Sequence, residues 1–130
     1  DRFYQSLDEI RKKRDQEQGR SLVLKSNIGV HKIPLNQLMY VEAQGRKVLY
    51  YLANGEEIVC TDRFSPVCDQ LLQYPEFILA HRSFLVNMNY IRLISTSDMQ
   101  LQNGTLLPLA QRRVAEIRKH YLAFQMEEIP

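Results

Sequence analysis

From Ser21 onward the chain is written in short extended runs: "SLVLKS", "GVHKIPL", "LMYVEA", "KVLYYL", "EEIVCT", then "FILAH", "YIRLIST", "MQLQ" and "TLLPLA". Asn54-Gly55 and Asn103-Gly104 each stand between two such runs. This dipeptide tolerates positive φ at its positions, so antiparallel hairpins are predicted across both. In "KVLYYL", Val48, Tyr50 and Leu52 fall on one face while Lys47, Leu49 and Tyr51 take the other, and five of the six are apolar or aromatic. A strand of that kind is buried on both sides, which requires at least two packed sheets.

Helical spacing interrupts this pattern at three places. Phe64, Val67, Cys68, Leu71 and Leu72 follow the i, i+3, i+4, i+7, i+8 rule, giving a core-covering helix with Ser65 as the expected N-cap and Pro66 in its first turn. Val114, Ile117, Tyr121 and Phe124 predict a last helix from about Ala110 that dissolves in "QMEEIP". Phe3, Leu7 and Ile10 predict one amphipathic helix over residues 1–20, ending near Gly19. Its apolar stripe is too short to form a core, so it is expected to be a linker helix from an upstream domain. The expected organisation is therefore a linker helix over 1–20, one β-rich domain over 21–124 and a tail over 125–130.

A chain of 130 residues with 45% hydrophobic and 25% charged residues has the make-up of one globular domain. No apolar run reaches the roughly 18 to 20 residues that cross a bilayer, and the first residues lack an export signal. A cytoplasmic protein without a membrane partner is expected. Cys60 and Cys68 form no CxxC pair and read as reduced thiols.

Most catalytic classes find no support. His31, His81 and His120 are isolated, so no metal-ligand spacing is present. Ser83 lies close to His81, but no GxSxG turn would force it outward, and the glycines are single turn residues with no phosphate-cradling run. No enzyme and no cofactor is expected.

Charge is more informative by place than by total. Between Leu79 and His120 six cations face two anions, a net +4, which leaves −2 for the rest of a chain totalling +2. Arg112 and Arg113 fall at the expected start of the last helix, where free N–H groups and the dipole already favour an anion. Two guanidiniums gain nothing there from the helix, so either they are merely solvated or an anion such as a phosphate is shared between them. Arg46 and Lys47 occupy the polar turn "AQGRKV", and Arg82 precedes an apolar segment closed by Asn87 and Asn89. Sequence spacing leaves open whether these three basic spots share one edge of the β scaffold.

"AHRSFLVNMNYI", followed by "LQNGTLLPLAQRRVAEIRKHY" and preceded by "IPLNQLMYVEAQGRKVLYYLANGEEI", resembles the DNA-binding domain of LytTR-type bacterial response regulators. The resemblance covers about Leu22 to Leu122 and lies in an H-x-S-x-x-V-N core, a downstream G-x-x-L-P and a basic helix start. "DRFYQSLDEIRKKR" is similar to the segment that leaves a receiver domain in such proteins. The resemblance implies a mostly β fold, an elongated stack of short antiparallel sheets with about ten strands and short helices. It also implies sequence-specific binding of double-stranded DNA by a transcription regulator of a two-component system. Loops would enter the major groove at paired direct repeats, and the protein would act as a homodimer driven by an upstream receiver domain and a sensor kinase.

Transferred position by position, the resemblance implies base contacts from Arg46 or Lys47, from Arg82 and from Arg112. These are the spots that the charge distribution singles out, and arginine pairs well with guanine O6 and N7. His81, Ser83 and Asn87 are expected either to touch phosphate or to serve as local caps. Many family members carry Ser-Arg where this chain has Ala110-Gln111, so Arg112 or Arg113 could read the base while the other grips phosphate. A different class of reading remains beside this one: a β-rich interaction or sensory module whose basic edge binds an acidic partner, with an exposed apolar patch beside it.

Overall fold

The computed structural model describes residues 20–128, with side chains through residue 126. The linker helix expected over residues 1–20 therefore lies outside the described residues, Arg20 excepted. Ten strands and two α-helices follow in chain order. They are β1 (Ser21–Ser26), β2 (Gly29–Pro34), β3 (Leu38–Gln44), β4 (Lys47–Leu52), β5 (Glu57–Thr61), α1 (Phe64–Leu71), β6 (Phe77–His81), β7 (Phe84–Asn87), β8 (Ile91–Ile94), β9 (Asp98–Leu101), β10 (Leu106–Pro108) and α2 (Val114–Glu128). The mostly β, antiparallel expectation is met.

The strands form a β1–β2 hairpin, a five-stranded sheet in the order β5-β4-β3-β7-β6 and a three-stranded sheet in the order β10-β9-β8. Both Asn-Gly dipeptides lie in antiparallel hairpins, β4 to β5 and β9 to β10. They do not occupy the two central turn positions, however. The glycine N–H closes each turn, Gly55 to the Leu52 carbonyl at 3.0 Å and Gly104 to the Leu101 carbonyl at 2.9 Å, which puts the positive φ of +92° and +93° at the fourth residue. β7 is the strand that the run-by-run reading omits. It follows β6 after only Arg82 and Ser83, with no Gly, Pro or Asn to mark the turn, and its pairing with β3 places the fully buried Leu85 and Val86 inside the sheet.

The five-stranded sheet is covered on both faces, as the composition of β4 requires. One face joins Val41, Val48, Tyr50 and Leu85 to Leu22 and Leu24 of the hairpin and to Val67 and Leu71 of α1. The other joins Tyr40, Ile78 and Val86 to Met99 and Leu107 of the small sheet and to Ile117 and Phe124 of α2. Arg20 pins the entry to β1: its guanidinium meets buried Glu76 at 2.9 Å and lies 4.7 Å from the Tyr74 ring centre.

Both helices start differently from expectation. α1 begins at Phe64 with Arg63 in the cap position and no side-chain cap, so Ser65 is already inside the helix. Asp62 is the local polar anchor, its carboxylate accepting from the Arg63 N–H at 2.7 Å. Pro66 remains harmless because N–H groups of the first turn have no helical partner. Before α2, Gln111–Arg113 form a 3-10 turn, and the α-helix proper opens at Val114. It then runs to Glu128, within the "QMEEIP" stretch where the sequence places its end.

The thiols carry a pH prediction. Burial, and secondarily the charge of Asp69, pushes Cys68 from 9.0 up to about 11, and burial followed by Asp62 raises Cys60. A thiol raised in the folded state binds its proton more tightly there than in the unfolded chain, so its contribution is complete below pH 9 and is lost as pH climbs through about 11. Denaturant midpoints are expected to fall with pH across that window. Alkylation at pH 8 should label both cysteines far more slowly in the folded protein than in denaturant. Equal labelling rates in the two conditions would contradict the buried placement.

Candidate nucleic-acid interface

One end of the five-stranded sheet gathers the basic turns. β3 leaves the sheet at Gln44, which pairs with Lys47, so Gly45 and Arg46 form a two-residue turn. Gly45 has φ +61°, and a Cβ added there would meet nothing within 4 Å; glycine is favoured by the backbone conformation and not by crowding. β7 runs antiparallel to β3 with Phe84 facing Glu42, and the Ala43 N–H donates to the Ser83 carbonyl at 2.9 Å. The Arg82-Ser83 turn therefore lies at the same sheet end as Gly45-Arg46.

The third element arrives by way of an irregularity. The β6–β7 register shifts between Leu79 and His81, and the carbonyls of Leu79 and Ala80 both bond outward to one segment. Ala80 accepts from the Ala110 N–H at 3.1 Å, and Leu79 accepts from the Arg113 guanidinium. Successive carbonyls of a regular strand point to opposite sides, so the bulge is what presents both. It docks residues 110–113 against the open edge of β6, beside the Arg82 turn.

The expected site residues then separate by environment. Arg46, Lys47, Arg82 and Arg112 are all exposed, and among the described residues no side-chain hydrogen bond or ion pair engages them. Arg113 is half-buried: besides the Leu79 carbonyl it meets Glu116 at 3.2 Å. His81 is partly exposed, with its Nδ1 accepting from the Ser83 N–H at 3.3 Å and its ring edge-on to Phe84. Ser83 shares that turn and is half-buried. Asn87 differs from the rest. It is 0% exposed, donates to the Leu38 carbonyl and accepts from the Asn89 N–H, both at 3.0 Å. Of the two roles left open for it, phosphate contact is corrected here and the local cap stands, because a side chain without surface cannot reach a ligand.

Two further polar residues share the rim. Arg63 is exposed where β5 gives way to α1, and with Gly45, Arg46, Thr61 and Asp62 it lines an open depression. The Asp62 N–H donates to the Arg46 carbonyl at 3.1 Å, tying the two turns together. A signal for this was available: a hairpin over Asn54-Gly55 returns the far end of β5 to the start of β4, as the Lys47–Thr61 pairing shows. Gln44 is the other, and it precedes the Gly45-Arg46 turn.

The chain matches the LytTr DNA-binding domain family over residues 29–122. It belongs to the LytTR family of DNA-binding domains. The matched LytTR region contains all three basic turns and every strand except β1. Among solved structures, the LytTr DNA-binding domain of a putative methyl-accepting/DNA response regulator from Bacillus cereus is similar to this chain at 27% identity and a TM-score of 0.65, covering 77% of this chain and 94% of that one. No curated protein matches the chain significantly.

Proposed function

We propose that the chain is the sequence-specific DNA-binding domain of a two-component transcription regulator, which reads the major groove with the rim of its five-stranded sheet. The observation that carries this reading is the gathering of the Arg46, Arg82 and Arg112 loops at one sheet end, through the bonds from Ala43 to Ser83 and from Ala110 to Ala80. Exposed arginines on three backbone-anchored loops suit direct readout, because a guanidinium gives paired hydrogen bonds to guanine while its loop holds it in register.

Arg112 takes the base-reading role in the last segment and Arg113 orients it, since Arg113 is already tied to Leu79 and Glu116. Arg46 or Lys47 and Arg82 supply the remaining base contacts, with His81 and Ser83 next to phosphate. The domain acts without catalysis or cofactor, in the cytoplasm, on paired direct repeats as a homodimer. Its activity is governed by an upstream receiver and sensor kinase.

The acidic-partner alternative expects a large apolar patch beside the cations. Among the described residues the exposed large hydrophobics are Val23, Ile28, Val30, Val59, Leu72, Leu93, Leu106, Leu122 and Met126, and none belongs to the three basic turns, which favours a polar groove as the ligand. Selection from a random duplex pool tests the reading directly. Enrichment of a repeated motif with a constant spacing is expected; recovery of unenriched sequence, with equal affinity for scrambled duplex, would refute it.

A further inference from the structure

Gln44 carries an amide that is already oriented. Its Nε2 donates to Glu42 Oε2 at 3.1 Å. Glu42 Oε1 accepts from the Tyr51 hydroxyl at 3.3 Å, and the Tyr51 ring stacks on Tyr40 with centroids 4.4 Å apart and planes 14° from parallel. Burial foremost, and then the charges of Glu42 and Glu57, raises the Tyr51 hydroxyl well above its ordinary range, so it stays a donor. Tyr40, Glu42 and Gln44 alternate onto one face of β3, the face that Ile117 and Phe124 of α2 help to cover. The chain of contacts therefore runs from the core out to the rim, and ends beside the Gly45-Arg46 turn.

A carboxylate can only accept, so it is the nitrogen of Gln44 that faces Glu42, and the direction of the amide is set by chemistry. One N–H is occupied. A bidentate contact uses the N–H syn to the carbonyl oxygen together with that oxygen, a donor and an acceptor side by side, and this pair is free when Glu42 holds the anti N–H. In the major groove, adenine presents the complementary pair, an N7 acceptor beside the N6 amino donor, whereas guanine presents two acceptors and would set O6 against the glutamine carbonyl.

We propose that Gln44 is a further base-reading residue that selects adenine in an A·T pair, with Glu42 as the positioning residue that fixes its amide. This inference rests on the DNA-binding reading above and adds a contact for which no arginine is suited. Glu42 faces the same rim as the arginines, and a carboxylate there weakens attraction to phosphate. Its role is orientation.

The test compares base-by-base preference profiles of the parent domain with those of Gln44→Ala, Glu42→Ala and Glu42→Gln, taken from selected duplexes with each position varied in turn. Gln44→Ala is expected to flatten preference at one A·T position by roughly 5- to 150-fold, the range of one bidentate pair, and to leave other positions and scrambled-duplex affinity unchanged. Glu42→Ala should flatten the same position. Glu42→Gln keeps an acceptor for the amide, and should restore that preference while raising affinity for all duplexes. Both positions have exposed or half-exposed side chains, so circular dichroism should report a folded domain throughout. An unchanged Gln44→Ala profile beside a structured parent profile overturns the inference alone, as does a uniform loss over all sequences or a loss at a G·C pair. A Glu42→Ala profile that keeps the adenine overturns the positioning role. A flat parent profile overturns the DNA-binding reading and this inference with it.

Discussion

Asn87→Ala is expected to lower the unfolding free energy by about 2–4 kcal/mol, since it strands the buried Leu38 carbonyl and removes the acceptor for the Asn89 N–H. The larger part belongs to Leu38, which is 0% exposed and has no route to water; the Asn89 N–H lies on an exposed residue and is partly rescued by solvent. The result separates a cap from a phosphate contact. A cap variant unfolds at lower denaturant while the surviving folded protein keeps the salt dependence of its DNA affinity. A phosphate contact would reduce the slope of log affinity against log salt by about one unit and leave stability alone. Denaturant titration with binding measured at several salt concentrations distinguishes the two, and a stability change below about 0.5 kcal/mol would contradict the assigned role of Asn87.

Arg82→Ala carries the second large effect. Removing one guanidinium that reads a guanine is expected to cost about 1–3 kcal/mol of discrimination at one base pair, and because Arg82 is exposed and unbonded among the described residues, folding should be nearly unaffected. Arg113→Ala should behave differently. It frees the Leu79 carbonyl and loosens residues 110–113, so melting temperature and specific affinity are expected to drop together. Arg113→Lys, which keeps the charge, should rescue little of either. Measured affinities for operator and scrambled duplex decide the matter: an Arg82→Ala protein with the parent's specificity ratio would remove Arg82 from base reading.

The fold was largely legible because its information is local. Alternation in "KVLYYL" requires a strand with two buried faces, and β4 has them. The Asn-Gly dipeptides require hairpins, although hydrogen bonding shifts their turns by one residue. Legibility failed where a turn signal was absent or shared. β7 follows β6 after only Arg82 and Ser83, with no Gly, Pro or Asn to mark the turn; and Ser65 beside Pro66 looks like a cap, yet Asp62 earlier in the chain accepts from the Arg63 N–H at the turn into α1.

By itself the sequence determined which residues are cationic, which runs are strands and which side chains must be hidden, because propensity and periodicity are properties of neighbours along the chain. Only the tertiary structure decided what those cations stand beside. The meeting of residues 46, 82 and 112 depends on β3 pairing with β7 and on a bulge in β6 that offers two consecutive carbonyls to residues 110–113. Those are contacts between segments some thirty to fifty residues apart, and they also withdrew Asn87 into the core and tied Arg113 to the scaffold. Burial and long-range hydrogen bonding sort chemically similar side chains into scaffold and surface, and no local pattern of letters encodes that sorting.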